Sequence, residues 1–370
     1  MQSGIKYNLL LTIFASLVVV FLISGCPKSS STSGCSGSCG PHSMAFSSGG
    51  NVYLLGYNQL LAINPQGTLL FRVKIANQLG RFMDILDISK DGNVWEGPGN
   101  GLNVLSIFDL QGNLLTQITT DINTTSIKIS GSTNIGWVGG YNITSNGITT
   151  TTVTNLEAIN MSGESLTSFT LSSPSIASYN ELFTVKLAVS PVDDVVWAWS
   201  PGYLSGYSFS GLVYGPYSVS LLESSTMFLT GCSMNEKWIT VNPVTNDIWM
   251  GTPASTTILS LSPNGTVQFQ KNLDINVSAM AVSPKTGNVW IGSNNKIDVL
   301  DPYGTIIKQL TFNNINCITF IAISPVDDTV WVGNSTNFNS TDKNIFILDD
   351  NGNIINGVYV PVMCFGPCPG

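Results

Sequence analysis

The chain runs to 370 residues, 43% hydrophobic and only 10% charged, so it can bury a large core, and length alone suggests two or more domains. With 14 Lys and Arg against 22 Asp and Glu the net charge is −8, which repels a phosphate backbone and sets nucleic acid aside as a partner. The sparse charge and the many Ser, Thr, Asn and Gly residues suit a protein of strands and turns outside the cytoplasm.

At the N-terminus, Lys6 precedes an apolar run over 9–23, short for a membrane span, with the charged-then-hydrophobic layout of an export signal. The run ends in Ile23-Ser24-Gly25-Cys26, which resembles the lipobox of exported lipoproteins. That resemblance implies a signal peptide over 1–25 and lipid attachment at Cys26; an ordinary cleaved signal and an uncleaved anchor are the alternatives. Residues 26–42, rich in Ser and Gly, read as a flexible tether.

A repeat follows. Tyr53, Trp95, Trp137, Trp197, Trp249, Trp290 and Trp331 are separated by 42, 42, 60, 52, 41 and 41 residues. Each unit opens on an apolar stretch, at 44–46, 86–88, 127–129, 187–189, 239–241, 280–282 and 321–323. A turn comes next, as in Ser190-Pro191-Val192-Asp193-Asp194, where Pro presets the backbone angle. The aromatic strand and a third strand lead to a second turn of the type Asp301-Pro302-Tyr303-Gly304, with glycine at its left-handed position, and then to a last strand. Four short strands in roughly 40 to 45 residues cannot bury both faces of their sheet alone, so units must stack. The spacing predicts an all-β, seven-bladed β-propeller of four-stranded antiparallel blades over 43–361, its aromatic series packed between blades. Only the fourth unit lacks a clean second turn; residues 203–217 are rich in Gly and Tyr instead.

These repeats resemble those of bacterial and archaeal surface propellers, the NHL and YVTN (surface-layer) types, over about residues 43–360. Val289-Trp290-Ile291-Gly292 is also similar to propeller repeats of extracellular sensor regions. The aspartate that many NHL repeats carry after the second strand is glycine here, at Gly251, Gly292 and Gly333. The resemblance implies a fold and names no ligand.

The first unit begins with its inner strand near Met44 and the last ends with its outer strand near Val358, so no strand is shared between the two ends. Cys35 and Cys39 precede the ring, and Cys364 and Cys368 follow it in a closing segment over 362–370. Disulfides between the two pairs would clasp the ring; each pair closing on itself, or four thiolates holding zinc, are the alternatives. Cys232 and Cys317 each precede an inner strand and read equally as a bonded pair or as buried thiols.

His42, the only histidine, lies before the first unit, which argues against lyases like the streptogramin-inactivating propellers and against histidine-dependent zinc sites. Lactonase-like propellers use Glu, Asp and Asn around a divalent cation, and Asp121, Glu181, Asp274, Asn294 and Asp342 fall in loops suited to that use. No phosphate loop, nucleophile elbow or haem-attachment motif occurs, so no cofactor is implied. Tyr203, Tyr207, Phe209, Tyr214 and Tyr217 form a candidate surface for a protein or glycan, against the plainer reading that they are strands of an irregular fourth blade with half their rings buried. Loops over 140–155 and 333–344 enlarge the same face. Sequons at Asn123, Asn142, Asn160, Asn264, Asn276, Asn334 and Asn339 mark glycan sites where the host glycosylates. Together these features point to an exported, lipid-anchored propeller at the cell surface or in the periplasm, a binding or scaffold module without catalysis. A cation-dependent hydrolase or lactonase and an extracellular sensor subunit are the alternatives.

Overall fold

The computed structural model describes residues 43–56, 59–75, 85–97, 103–145, 150–172, 184–219, 222, 237–253, 255–315, 317–334 and 343–360. Seven antiparallel sheets of four consecutive strands span 43–74, 86–119, 123–170, 186–218, 238–272, 279–311 and 318–358. The first strands are Ser43–Phe46, Leu86–Ile88, Asn123–Ile129, Lys186–Val189, Trp238–Val241, Ala279–Val282 and Ile318–Ile323. Each lies against the first strand of the next blade, and that of the seventh returns to that of the first. The fold is therefore the expected seven-bladed propeller, every blade drawn from one contiguous stretch of chain.

Turn chemistry sets the strand boundaries. In the first turns of the fourth, fifth and seventh blades, Asp194, Asn246 and Asp328 hold φ of 60, 59 and 64°. Their N–H groups donate back to Ser190, Asn242 and Ser324 carbonyls at 3.1, 2.8 and 3.0 Å. Asp and Asn tolerate this left-handed conformation because their short side chains bond locally. In the second turns, Asp301 Oδ1 accepts the N–H groups of Tyr303 (3.0 Å) and Thr305 (2.8 Å) while Gly304 takes φ of 87°. The extra residue appears as a bulge between Val299 and Leu300.

The seven aromatics are all buried and fill the seams between blades. Trp95 covers Gly136 of the third blade so closely that a Cβ there would lie 2.7 Å from its ring. Two residues beyond the aromatic, glycine recurs for a similar reason. A Cβ on Gly97, Gly139, Gly251 or Gly292 would come within 2.9, 2.7, 2.8 and 2.6 Å of Ile127, Val185, Val277 and Ile318, which introduce the next blade.

The ring closes without a shared strand. Phe46 meets Trp331 edge-on at 6.0 Å, and Asn356 Nδ2 donates to the Gln66 carbonyl at 3.3 Å. Two blades depart from the common plan. In the third, Gly136–Ser145 and Thr150–Ile159 form arms of ten residues. They pair with the first strand only as far as Tyr141 and with the fourth only from Asn155, extended by a bond from Leu171 N–H to the Thr154 carbonyl. In the fourth, Tyr203–Ser208 and Gly211–Ser218 pair through two register shifts.

Candidate functional site at the channel mouth

The first strands begin on the face that carries the linkers between blades, and their leading residues ring the axis there. Ser43, Ser126, Lys186, Trp238, Ala279 and Phe320 occupy corresponding places, each paired with the residue two beyond its blade's aromatic. All six are buried. Because Ala279 is small, Trp238 of the fifth blade and Phe320 of the seventh meet across the sixth, ring centroids 5.8 Å apart. One side of the mouth is thus aromatic.

The other side is polar. Asp87 accepts the N–H of Ile88 (3.0 Å) through one carboxylate oxygen and that of Ile129, a blade further on, through the other (2.8 Å). Thr125 Oγ1 accepts the N–H of Val185 (3.1 Å) and Ser126 Oγ that of Leu187 (3.3 Å). Side chains of one blade therefore cap the open inner edge of the next, where no further strand can pair with it. Opposite the aromatics, the first strands present Ala45, Asp87, Lys128, Ala188, Thr240, Ala281 and Ala322, so charge at this level is confined to the second and third blades.

Lys186 stands out. It is only 1% exposed in a chain where charge is scarce, and its register partner is Trp199. Lys237, entering the fifth blade, holds its Nζ 4.9 Å from the Trp199 ring centroid. A buried lysine at the head of the fourth blade and a second lysine entering the fifth thus flank Trp199.

Buried acids occupy the seams away from the axis. Glu96 follows Trp95, at the place held by Leu54, Val138, Ala198, Met250, Ile291 and Val332 in the other blades. It is 2% exposed and its Oε1 has no hydrogen-bond partner. Burial pushes its carboxyl well above the ordinary 4.5, and the bond with Ser106 only partly opposes this. Glu157 and Asp298 sit on third strands, likewise raised by burial, with Asp121 and Asp274 adding to the effect.

Asp121, Asp274 and Asn294 are exposed in separate loops, and Glu181 and Asp342 lie outside the described residues. Among the described residues no three His, Cys, Asp or Glu side chains come together. The aromatic group of the fourth blade is divided between seams. Tyr207 stacks on Phe169 at 5.0 Å and Phe209 lies 5.1 Å from Trp137, both toward the third blade. Tyr214 stacks on Trp197 at 5.5 Å, and Tyr217 donates its hydroxyl to the Pro263 carbonyl of the fifth blade at 3.1 Å. Tyr203 is half-buried within its strand. These rings do not share one open face, because the seams on either side of the blade need them as filling.

Cys317 is buried and disulfide-bonded; Cys26, Cys35, Cys39, Cys232, Cys364 and Cys368 lie outside the described residues, as does His42. Asn264 and Asn276 are exposed, while Asn123, Asn142 and Asn160 are half-buried, and Asn339 lies outside the described residues. Asn334 is a correction: it is buried and its Oδ1 accepts the Cys317 N–H at 3.1 Å, so the fold has no room for a glycan there. Lys186, Lys128, Asp87 and Glu96 escaped attention as site residues. Their signal was a charge inside an otherwise apolar strand.

No family model and no curated protein matches the chain. Solved structures do. A streptogramin B lyase has 15% identity and a TM-score of 0.58, with 79% of this chain and 90% of that one covered. Virginiamycin B lyase from Staphylococcus aureus has 16% identity and a TM-score of 0.55, covering 80% and 92%. A catalytically inactive histidine-to-alanine form of that lyase, with quinupristin, has 17% identity and a TM-score of 0.56, covering 81% and 93%. These likenesses overturn the expectation of a chain without catalysis, since the structures it is similar to are enzymes. That expectation rested on the lone His42 and on the lack of a catalytic constellation in the sequence. At this level of identity the likeness establishes architecture: the chain is a seven-bladed β-propeller of the shape these lyases have.

Proposed function

We propose that this chain is a propeller enzyme of lyase or hydrolase type, acting at the channel mouth on an ester or lactone that develops negative charge as it reacts. The observation that carries the proposal is Lys186, a lysine buried at the head of an inner strand opposite Trp199, in the place that Trp238 and Phe320 hold in their own blades. A cation held in a water-poor setting acts far more strongly on charge that develops beside it than one in water. The aromatic side of the mouth supplies an apolar wall against which a ligand can be oriented. Asp87 has both carboxylate oxygens committed to backbone N–H groups, so its part is to brace the ring. The enzymes among the similar structures support the reading.

The test is to incubate the full chain with lactones, linear esters and quinupristin and to follow products by mass spectrometry. Elimination within a ring leaves the mass unchanged, whereas hydrolysis adds water. Lys186→Met is expected to lower turnover about 100-fold or more. Undiminished turnover in that variant overturns the role of Lys186. Saturable binding without any turnover overturns the enzyme reading.

We further propose that the protein is exported and held at the membrane by a lipid on Cys26. Support comes from Lys6, the apolar run over 9–23 and Ile23-Ser24-Gly25-Cys26, together with the disulfide at Cys317, which suits an oxidising compartment. Cells fed a labelled lipid precursor should label the protein, and Cys26→Ser should abolish the label. A label that survives this substitution removes the anchor.

A further inference from the structure

We infer that the long hairpin of the third blade is a pairing edge at which two copies of this chain join, strand against strand. Among the described residues, 142–145 and 150–153 pair only with each other, which leaves this stretch of ribbon two edges of backbone N–H and C=O groups that no described strand covers. Two strands alone are marginal in water, while three or more sharing a sheet are self-supporting. Natural sheets blunt open edges with Lys, Arg, Pro or bulges. The outermost strands here do so at Arg72 and Lys74, Pro216, Lys271 and Lys308, in the first, fourth, fifth and sixth blades. The ribbon has no such guard. No charged residue and no proline occurs between Lys128 and Glu157, and the ribbon arms carry Ile143, Thr144, Thr151, Thr152 and Val153, β-branched residues that favour a strand. Ile143 is 56% exposed.

The last strands of the second, third and seventh blades have neither charge nor proline, but each offers one edge, whereas the ribbon offers two.

A second copy fits this edge better than a charged partner. An uncharged, β-branched strand is complementary to itself in an antiparallel pair, which gives the two-fold symmetry of most homodimers. Four residues beyond the sheet amount to about 14 Å of strand. That exceeds the screening length of about 8 Å at physiological salt, so two bodies of like charge can pair through their ribbons with their repulsion largely screened.

Sedimentation equilibrium of the full chain in detergent should show a dimer whose mass falls to that of a monomer on dilution. Ile143→Lys with Thr151→Lys should weaken dimerisation at least tenfold while the far-ultraviolet circular dichroism and melting temperature stay unchanged, both side chains being exposed. Thr144→Lys alone serves if the double variant misfolds. Wild-type chain that remains monomeric at its highest soluble concentration overturns the inference. So does a dimer that survives the lysines, because its interface then lies elsewhere.

Discussion

The Ser283 hydroxyl lies 2.9 Å from each carboxylate oxygen of Asp328, which stands in the corresponding turn one blade further round. The relationship recurs. Asp194 receives Ser130 at 2.5 Å and Ser132 at 2.6 Å, Ser190 donates to Asn246 at 2.8 Å, and Asn134 donates to Asp91 at 2.6 Å. A left-handed Asp or Asn thus closes its own turn and ties it to the neighbouring blade. Asp328→Ala should cost about 2 to 4 kcal/mol, since it removes a charged acceptor and leaves a Cβ-bearing residue at φ of 64°. Asp328→Gly should cost less, and Ser283→Ala added to Asp328→Ala should cost little more, because the two act through one bond. Denaturant unfolding reads all three; equal losses for Ala and Gly would refute the backbone half of this account.

Gly292→Ala should destabilise by about 1 to 3 kcal/mol, because the added methyl would sit 2.6 Å from Ile318 and 2.9 Å from Ile321 across a closed seam. Gly131→Ala is the control. Nothing lies within 4 Å of a Cβ at that turn, and its loss should stay within about 0.5 kcal/mol. Matched unfolding curves decide, and a neutral Gly292→Ala would show that the seam yields.

Glu96 predicts a pH dependence of definite sign. Its carboxyl is raised well above 4.5 in the fold, so the folded chain keeps a proton that the unfolded chain releases. Its contribution therefore favours folding least at high pH: stability falls as pH rises from about the ordinary carboxylate value toward the raised one. Glu157 and Asp298, also raised, act in the same direction. Glu96→Gln should raise the melting temperature at neutral pH and flatten its decline between mildly acidic and neutral conditions. A parallel pH profile in the variant would show that Glu96 is already charged in the fold.

The partner of Cys317 is expected to be Cys232. Trp238 follows Cys232 by six residues and Phe320 follows Cys317 by three, and these two rings are in contact. Proteolysis without reduction should yield one peptide pair containing both cysteines. Linkage of Cys317 to any of Cys35, Cys39, Cys364 or Cys368 would contradict this and would place the clasp of the ring at the sixth linker.

The frame of the fold could be read because its turns use residues with few substitutes. Asp301-Pro302-Tyr303-Gly304 and its relatives need a left-handed fourth residue, and alternation then places every aromatic in a seam. The mouth was far less legible. Which inner-strand residues converge depends on contacts across blades, and the meeting of Trp238 with Phe320 is allowed by a third residue, Ala279. The tyrosines of the fourth blade show the same limit, because Gly and Tyr in alternation suit a recognition loop and an irregular strand alike until Phe169, Trp197 and Pro263 are seen to occupy them.

Since each sheet is one uninterrupted stretch of chain, a blade is also a modular unit of inheritance. A single duplication or deletion of about 41 residues, the spacing between Trp249 and Trp290, adds or removes a whole sheet and leaves none short of a strand. By the same logic the polypeptide can be opened at any linker and its old ends joined, giving permuted rings in which every sheet keeps its four members.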